Sequence, residues 1–123
     1  LSASKGLIFP VLWNEPFGIS IVESLYFGCP VFGTPYGSLP EIVQPEVGFL
    51  SNSVPALVDA VQHADDFDKK KCHEYVLDYF SSKQMALQYL AKYETVLNKH
   101  TLNPTAPMLK QIQTEKFLPF TND

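Results

Sequence analysis

The sequence predicts an α/β domain, a parallel sheet flanked by helices and followed by a long C-terminal helix. Three observations predict it. Between Phe9 and Val43 the chain reads as strand, tight turn, helix and strand within about 30 residues, the βαβ unit of a parallel sheet. Leu7-Ile8-Phe9 is a continuous apolar run, which suits a strand buried on both faces of such a sheet. Met85, Leu87, Tyr89, Leu90, Tyr93 and Leu97 keep broad helical spacing over Lys83 to Lys99.

In chain order, Leu1 to Gly6 reads as the end of a preceding helix or loop, with Gly6 as its stop. The strand Leu7 to Phe9 follows, ended by Pro10, and Val11 to Glu15 forms the loop at its C-terminal edge. A helix is expected from Gly18 to Phe27, with Ile19, Val22 and Tyr26 at helical spacing, Leu25 adjoining them, and Gly28 as its stop. Ser20, Glu23 and Phe27 share a second stripe. Pro30 opens a strand over Val31 to Thr34. Pro35 to Ser38 is a turn, Leu39 to Val43 a single helical turn introduced by Pro40, and Gly48-Phe49-Leu50 a short edge strand. A helix over Val54 to Ala64 turns Leu57, Val58 and Val61 inward. Lys69-Lys70-Lys71 starts another, to about Tyr79, as a solvated face. Ser81 or Ser82 caps the long helix. Beyond His100 two prolines interrupt the pattern; Met108, Leu109, Ile112 and Lys116 have the spacing of one more short helix, and the tail is expected to order only against a neighbour, if at all. The domain therefore spans 1–100, with a tail over 101–123.

Composition narrows the function. At 123 residues, 46% apolar and 18% charged, the chain is long enough for a core and unlike a disordered segment. Its nine lysines, thirteen acids and lack of arginine argue against phosphate-tracking nucleic-acid binding. Cys29 and Cys72 form no metal or redox motif, so a reduced, cytosolic protein is the simplest reading. No apolar run approaches the roughly 18 residues that span a bilayer, and no signal peptide is readable. The abrupt start, almost in a strand, is expected of a fragment. His63, His73 and His100 share no metal-ligand spacing and read as surface or packing residues. No nucleophilic triad, Walker sequence or dinucleotide fingerprint is present.

The chemistry concentrates around Glu15 and Glu23, with Pro16-Phe17-Gly18 between them. Glu15 precedes proline and lies beyond the C-terminal end of a strand, where open α/β sheets hold ligands. An exposed loop glutamate would need no ligand, yet a carboxylate there can accept two hydrogen bonds from sugar hydroxyls. Glu23 lies in the second turn of a helix among apolar neighbours, where a charge is costly unless partnered; facing a cleft, it would clamp a vicinal diol such as a ribose. Gly18 lets the backbone approach a ligand, and its N–H and that of Ile19 open the helix, which favours an anion. Lys5 is a lone lysine within possible reach of a phosphate, and Gly37 and Glu41 shape the next loop.

Glu15-Pro16-Phe17-Gly18, Glu23, Gly28-Cys29-Pro30-Val31 and Gly37-Ser38-Leu39-Pro40-Glu41 together resemble the C-terminal domain of the family four retaining glycosyltransferases. Phe80-Ser81, Met85-Ala86 and Tyr93 are similar to that family's closing helix, so the likeness runs over about residues 5–98. The resemblance implies part of the C-terminal, donor-binding domain of a GT-B fold, Rossmann-like, facing a second domain across a cleft. It implies transfer of a sugar from a nucleotide-diphosphate sugar, with retention of anomeric configuration, in polysaccharide or glycoconjugate synthesis, by a hexosyltransferase-type enzyme. Glu15 would be the catalytic residue contacting the donor sugar; Phe17, Gly18 and Ile19 would offer backbone N–H groups to sugar hydroxyls and diphosphate; Glu23 would hold the ribose. No metal or cofactor is implied, and protein dipoles and cations would stabilise the leaving diphosphate. The sugar or lipid-linked acceptor would meet a missing N-terminal domain, so these residues alone would be inactive, in the cytoplasm or peripheral at the inner membrane face. Two departures stand out. Ser38 replaces a frequent second glycine, and Tyr26-Phe27 replaces small residues, implying bulkier packing behind the helix. A GT-B nucleotide-sugar epimerase and a non-catalytic binding module remain as alternatives.

Overall fold

The computed structural model describes residues 3–109, 112 and 114–123. Three short strands, β1 (Leu7–Phe9), β2 (Val31–Gly33) and β3 (Gly48–Leu50), form a parallel sheet in that order. Leu7 pairs with Val31 and Val31 with Gly48, so the three strands run in step and end at one edge. The helices are α1 (Ile19–Tyr26), α2 (Leu39–Ile42), α3 (Val54–Gln62), α4 (Lys69–Tyr79) and α5 (Ser82–Leu97). The expected α/β class, parallel and Rossmann-like with helices on both faces and a long last helix, is the observed one. Among the described residues no helix is long and apolar enough to cross a membrane.

Alternation along β2 sends side chains to both faces. Val31 joins Ile21, Leu25, Leu39, Val47, Cys72 and Val76 on one side, where α1 packs against α4. Phe32 points to the other side, against Leu57, Ala64 and Phe67. β2 is therefore the doubly buried strand. β1, expected to share that burial, leaves Ile8 60% exposed, because among the described residues β1 pairs with β2 alone and stands at the edge of the sheet.

Glycine sets both ends of α1. Gly18 takes φ +78° and its carbonyl accepts from the Ile21 N–H at 2.9 Å. At the other end Gly28 takes φ +75°; its N–H reaches the Leu25 carbonyl and the Cys29 N–H the Ser24 carbonyl, the double closure of a Schellman motif. The face α1 buries is Ile21, Ser24 and Leu25, while Ile19 and Tyr26 of the expected apolar spacing are exposed. The buried stripe must meet Val76 and Cys72 of α4, which lie beneath the middle of α1. Ser24 is tolerated there because its hydroxyl donates to the Cys29 carbonyl at 3.1 Å.

Tyr26 and Phe27 pack edge to face at 5.6 Å, and the Tyr26 ring lies 4.7 Å from His73. The bulkier surface behind α1 is therefore a ring contact with α4, and His73 is a packing residue. In α3, Leu57 is buried but Val58 is 52% exposed, so the inward face is narrower than the apolar spacing implied. Asp68 caps α4 through the Lys70 and Lys71 N–H groups, and the three lysines that follow it are exposed as expected. Ser81, rather than Ser82, caps α5 by accepting from the Gln84 N–H. α5 buries none of its residues, despite its apolar periodicity. The short helix expected between Met108 and Lys116 falls partly on positions 110, 111 and 113, which lie outside the described residues, as do Leu1 and Ser2.

Both cysteines are free and buried. Burial, aided by the nearby Asp68 charge, pushes the Cys72 thiol from 9.0 up to about 11. An unfolded chain gives up that proton first, so this contribution is complete below pH 9.0 and is lost as pH rises towards about 11. Burial shifts Tyr75 upward too, with the same sign. The urea midpoint should therefore decline over that alkaline range, and decline less steeply in Cys72→Ala. Equal slopes in the two proteins would contradict the thiol's role.

Candidate functional site

The loops that leave the three strands meet at the C-terminal edge of the sheet, and Glu15, the first carboxylate picked out in the sequence, stands there. Thr34 ties the first two loops together by donating its hydroxyl to the Val11 carbonyl. The turn holding Glu15 is then clasped by the next loop. The Ser38 N–H donates to the Glu15 carbonyl at 2.8 Å, and the Ser38 hydroxyl donates to the Phe17 carbonyl at 3.0 Å. Ser38 is thus a staple across the turn. Gly37, at φ +64°, lies so close that a Cβ on it would fall 2.3 Å from both the Glu15 nitrogen and the Glu15 oxygen.

Glu15 is half-buried beside the start of α1. Its Cγ lies 3.6 Å from the point a Cβ on Gly18 would occupy. The Trp13 indole N–H donates to Oε2 of Glu15 at 3.0 Å, which fixes one carboxylate oxygen and leaves the other as an acceptor. Gly18 has no Cβ to cover the opening of the helix, and Ile21 Cδ1 would stand 2.7 Å from one.

Glu23 lies on the far side of Phe17 and Ile19, in an open cleft of about 500 Å³ that Glu15 does not line. The cleft runs between α1 and the junction of α4 with α5, and Phe17, Ile19, Val22 and Glu23 form one wall. Tyr75, Tyr79, Phe80 and Met85 form the other, with Glu41 of α2 at one end. Phe17 meets Phe80 edge to face at 6.1 Å, and Tyr75 is fixed by donating its hydroxyl to the Ile42 carbonyl at 2.9 Å. Glu23 itself is exposed, so its charge carries little burial cost and needs no partner, unlike the apolar setting the sequence implied.

The chain thus brings Phe17, Ile19 and Glu23 together in one cleft, and Glu15 and Gly18 beside its opening. Glu41 joins Glu23 there although turn geometry alone accounted for it in the sequence. The aromatic wall from α4 was not legible as a site, since those rings lie more than fifty positions from Glu23. A pair of acids with no cation among the described lining residues suits hydroxyl groups better than phosphate. Lys5 is occupied elsewhere, in an exposed ion pair with Asp65. Among the described residues no cluster of three metal-ligating side chains occurs.

A family model described as glycosyl transferases group 1 matches residues 1–76, the sheet, its loops and most of α4. No curated protein matches the chain.

Proposed function

The chain belongs to the group 1 glycosyltransferases, a membership that implies a nucleotide-sugar donor and an acceptor, and from that premise we propose how its residues divide the work. Glu23 holds the ribose of the donor, accepting hydrogen bonds from both hydroxyls. The backbone of Phe17, Gly18 and Ile19 meets the sugar hydroxyls and the diphosphate at the opening of α1. Glu15 contacts the transferred sugar near its reacting carbon. The sugar moves from the diphosphate to an acceptor hydroxyl with retention of configuration, as in the family four enzymes, and without a bound metal. The C–O bond from the anomeric carbon to the diphosphate breaks as that carbon bonds to the acceptor oxygen. The diphosphate leaves with the electron pair and takes up the proton that the acceptor hydroxyl releases. Transfer membership favours this reading over epimerisation.

The observation that carries the proposal is the placement of Glu23 on α1 in an open cleft whose near wall begins at Phe17. α1 follows the nine-residue loop that leaves the C-terminal end of β1, so one helix spans the distance from the diphosphate end to the ribose end. The acceptor is taken to bind on a further domain, so that the full-length enzyme works in the cytoplasm or at the inner membrane face in polysaccharide or glycoconjugate synthesis.

Ligand-observed NMR with UDP, GDP and ADP tests the ribose role directly. One nucleotide should bind, and Glu23→Ala should weaken it about tenfold or more, the worth of hydrogen bonds to a charged acceptor. Binding that survives the substitution unchanged would remove Glu23 from the site.

A further inference from the structure

We propose that the C-terminal segment Phe117–Thr121 is a brace for the site, and that Tyr36 and this segment are positioning elements for Glu15. The proposal rests on the reading of Glu15 as the sugar contact. The segment lies outside the residues that match the family.

Four hydrogen bonds carry it. The Leu118 N–H donates to the Leu12 carbonyl at 2.8 Å, in the loop after β1. The Tyr36 hydroxyl, in the loop after β2, donates to the Pro119 carbonyl. In the loop after β3 the Thr121 N–H reaches the Asn52 carbonyl at 2.8 Å, and at the start of α3 the Val54 N–H reaches the Thr121 carbonyl at 2.7 Å. Ser53 and Thr121 thereby form a parallel bridge. Phe120 lines an apolar cleft with Ile8, Pro10, Leu57 and Val58, which anchors the segment from behind.

A single segment of five residues therefore crosses the exits of all three β-strands. Two of its attachment points are one residue away from the parts that hold Glu15. Leu12 precedes Trp13, whose indole holds the carboxylate, and Tyr36 precedes Gly37, which packs against the Glu15 backbone. Surface loops usually move more than the elements they join. Here the segment cross-links three of them, two of which hold Glu15, so the position of Glu15 depends on residues about a hundred positions later in the chain.

Trp13 is the one tryptophan of the chain and 50% exposed, which makes it a reporter of this loop. Two variants separate the brace from the fold. One deletes residues 117–123; the other, Tyr36→Phe, removes one hydroxyl and keeps the ring. Acrylamide quenching of Trp13 should rise in both, and a peptide of residues 114–123 added in trans should reverse it in the deletion. In the full-length enzyme, Tyr36→Phe should lower kcat about fivefold, the worth of one hydrogen bond, while the Kd for the bound nucleoside diphosphate stays as in the wild type. Unchanged quenching in both variants would overturn the brace. So would raised quenching with unchanged kcat in an enzyme that Glu15→Gln disables. An enzyme with no transfer activity at all would instead defeat the functional reading, and the quenching result would still decide the brace.

Discussion

Replacing Gly37 with alanine should destabilise the domain by about 3 kcal/mol and displace Glu15 from its site. The left-handed conformation at φ +64° alone costs a residue with a Cβ about 1–2 kcal/mol. The added carbon would also lie 2.3 Å from the Glu15 nitrogen and oxygen and 2.7 Å from the Asn14 carbonyl carbon. These are backbone atoms, so no side chain can rotate away, and the loops must separate. Separation breaks the Ser38 N–H bond to the Glu15 carbonyl and adds roughly another 1–2 kcal/mol. Gly28→Ala is the control. Gly28 also has positive φ, at +75°, with the Lys69 carbonyl oxygen 2.9 Å from the new carbon. It should lower the urea midpoint comparably, yet leave Trp13 quenching in the folded protein as it is. A Gly37→Ala protein with the wild-type midpoint would mean that the two loops are not packed as described.

The contrast between these glycines shows what a sequence can carry. Gly18, Gly28 and Gly37 read as helix start, helix stop and turn, and all three take positive φ, whereas Gly6, also read as a stop, does not. The start of α1 and the strand after it were legible as well. Burial was less so. Ile8 and Val58 belong to apolar runs, but their exposure depends on which neighbours flank them in space, and a run of apolar letters does not specify that. The same limit applies to α5, whose stripe is periodic and uncovered.

The site divides in a similar way. Glu15, Phe17, Gly18, Ile19 and Glu23 fall within nine consecutive positions, so their proximity is local and readable. Tyr75, Tyr79 and Phe80 reach the cleft only because α4 packs beneath α1 through Cys72 and Val76, a tertiary fact. The tail was expected to order only against a neighbour, if at all. Its segment Phe117–Thr121 lies against the strand exits of its own chain, chiefly through main-chain groups, which any residue supplies and no motif announces.

Glu15→Gln should lower the rate of sugar transfer in the full-length enzyme by about a hundredfold, as the loss of a charged hydrogen-bond acceptor near a reacting centre commonly does. The amide has nearly the same shape and keeps one oxygen, so the Trp13 indole retains an acceptor and the turn should hold its geometry. What is lost is the negative charge. In a transition state where the bond to the leaving diphosphate has lengthened, positive charge builds on the sugar ring. A carboxylate stabilises that charge more than it stabilises the intact donor. The loss should therefore fall mainly on kcat, while the free nucleoside diphosphate, which lacks the sugar, binds as before. Glu23→Ala should show the opposite pattern, weaker nucleotide binding with the chemical step less affected, because Glu23 lies in the cleft that Glu15 does not line. Trp13→Phe supplies a graded test between them. It frees the Glu15 carboxylate without removing its charge, and should lower kcat by less than Glu15→Gln. Full activity in Glu15→Gln would exclude the carboxylate from the chemical step. A loss confined to nucleotide affinity would move Glu15 from the sugar end of the donor to the ribose end.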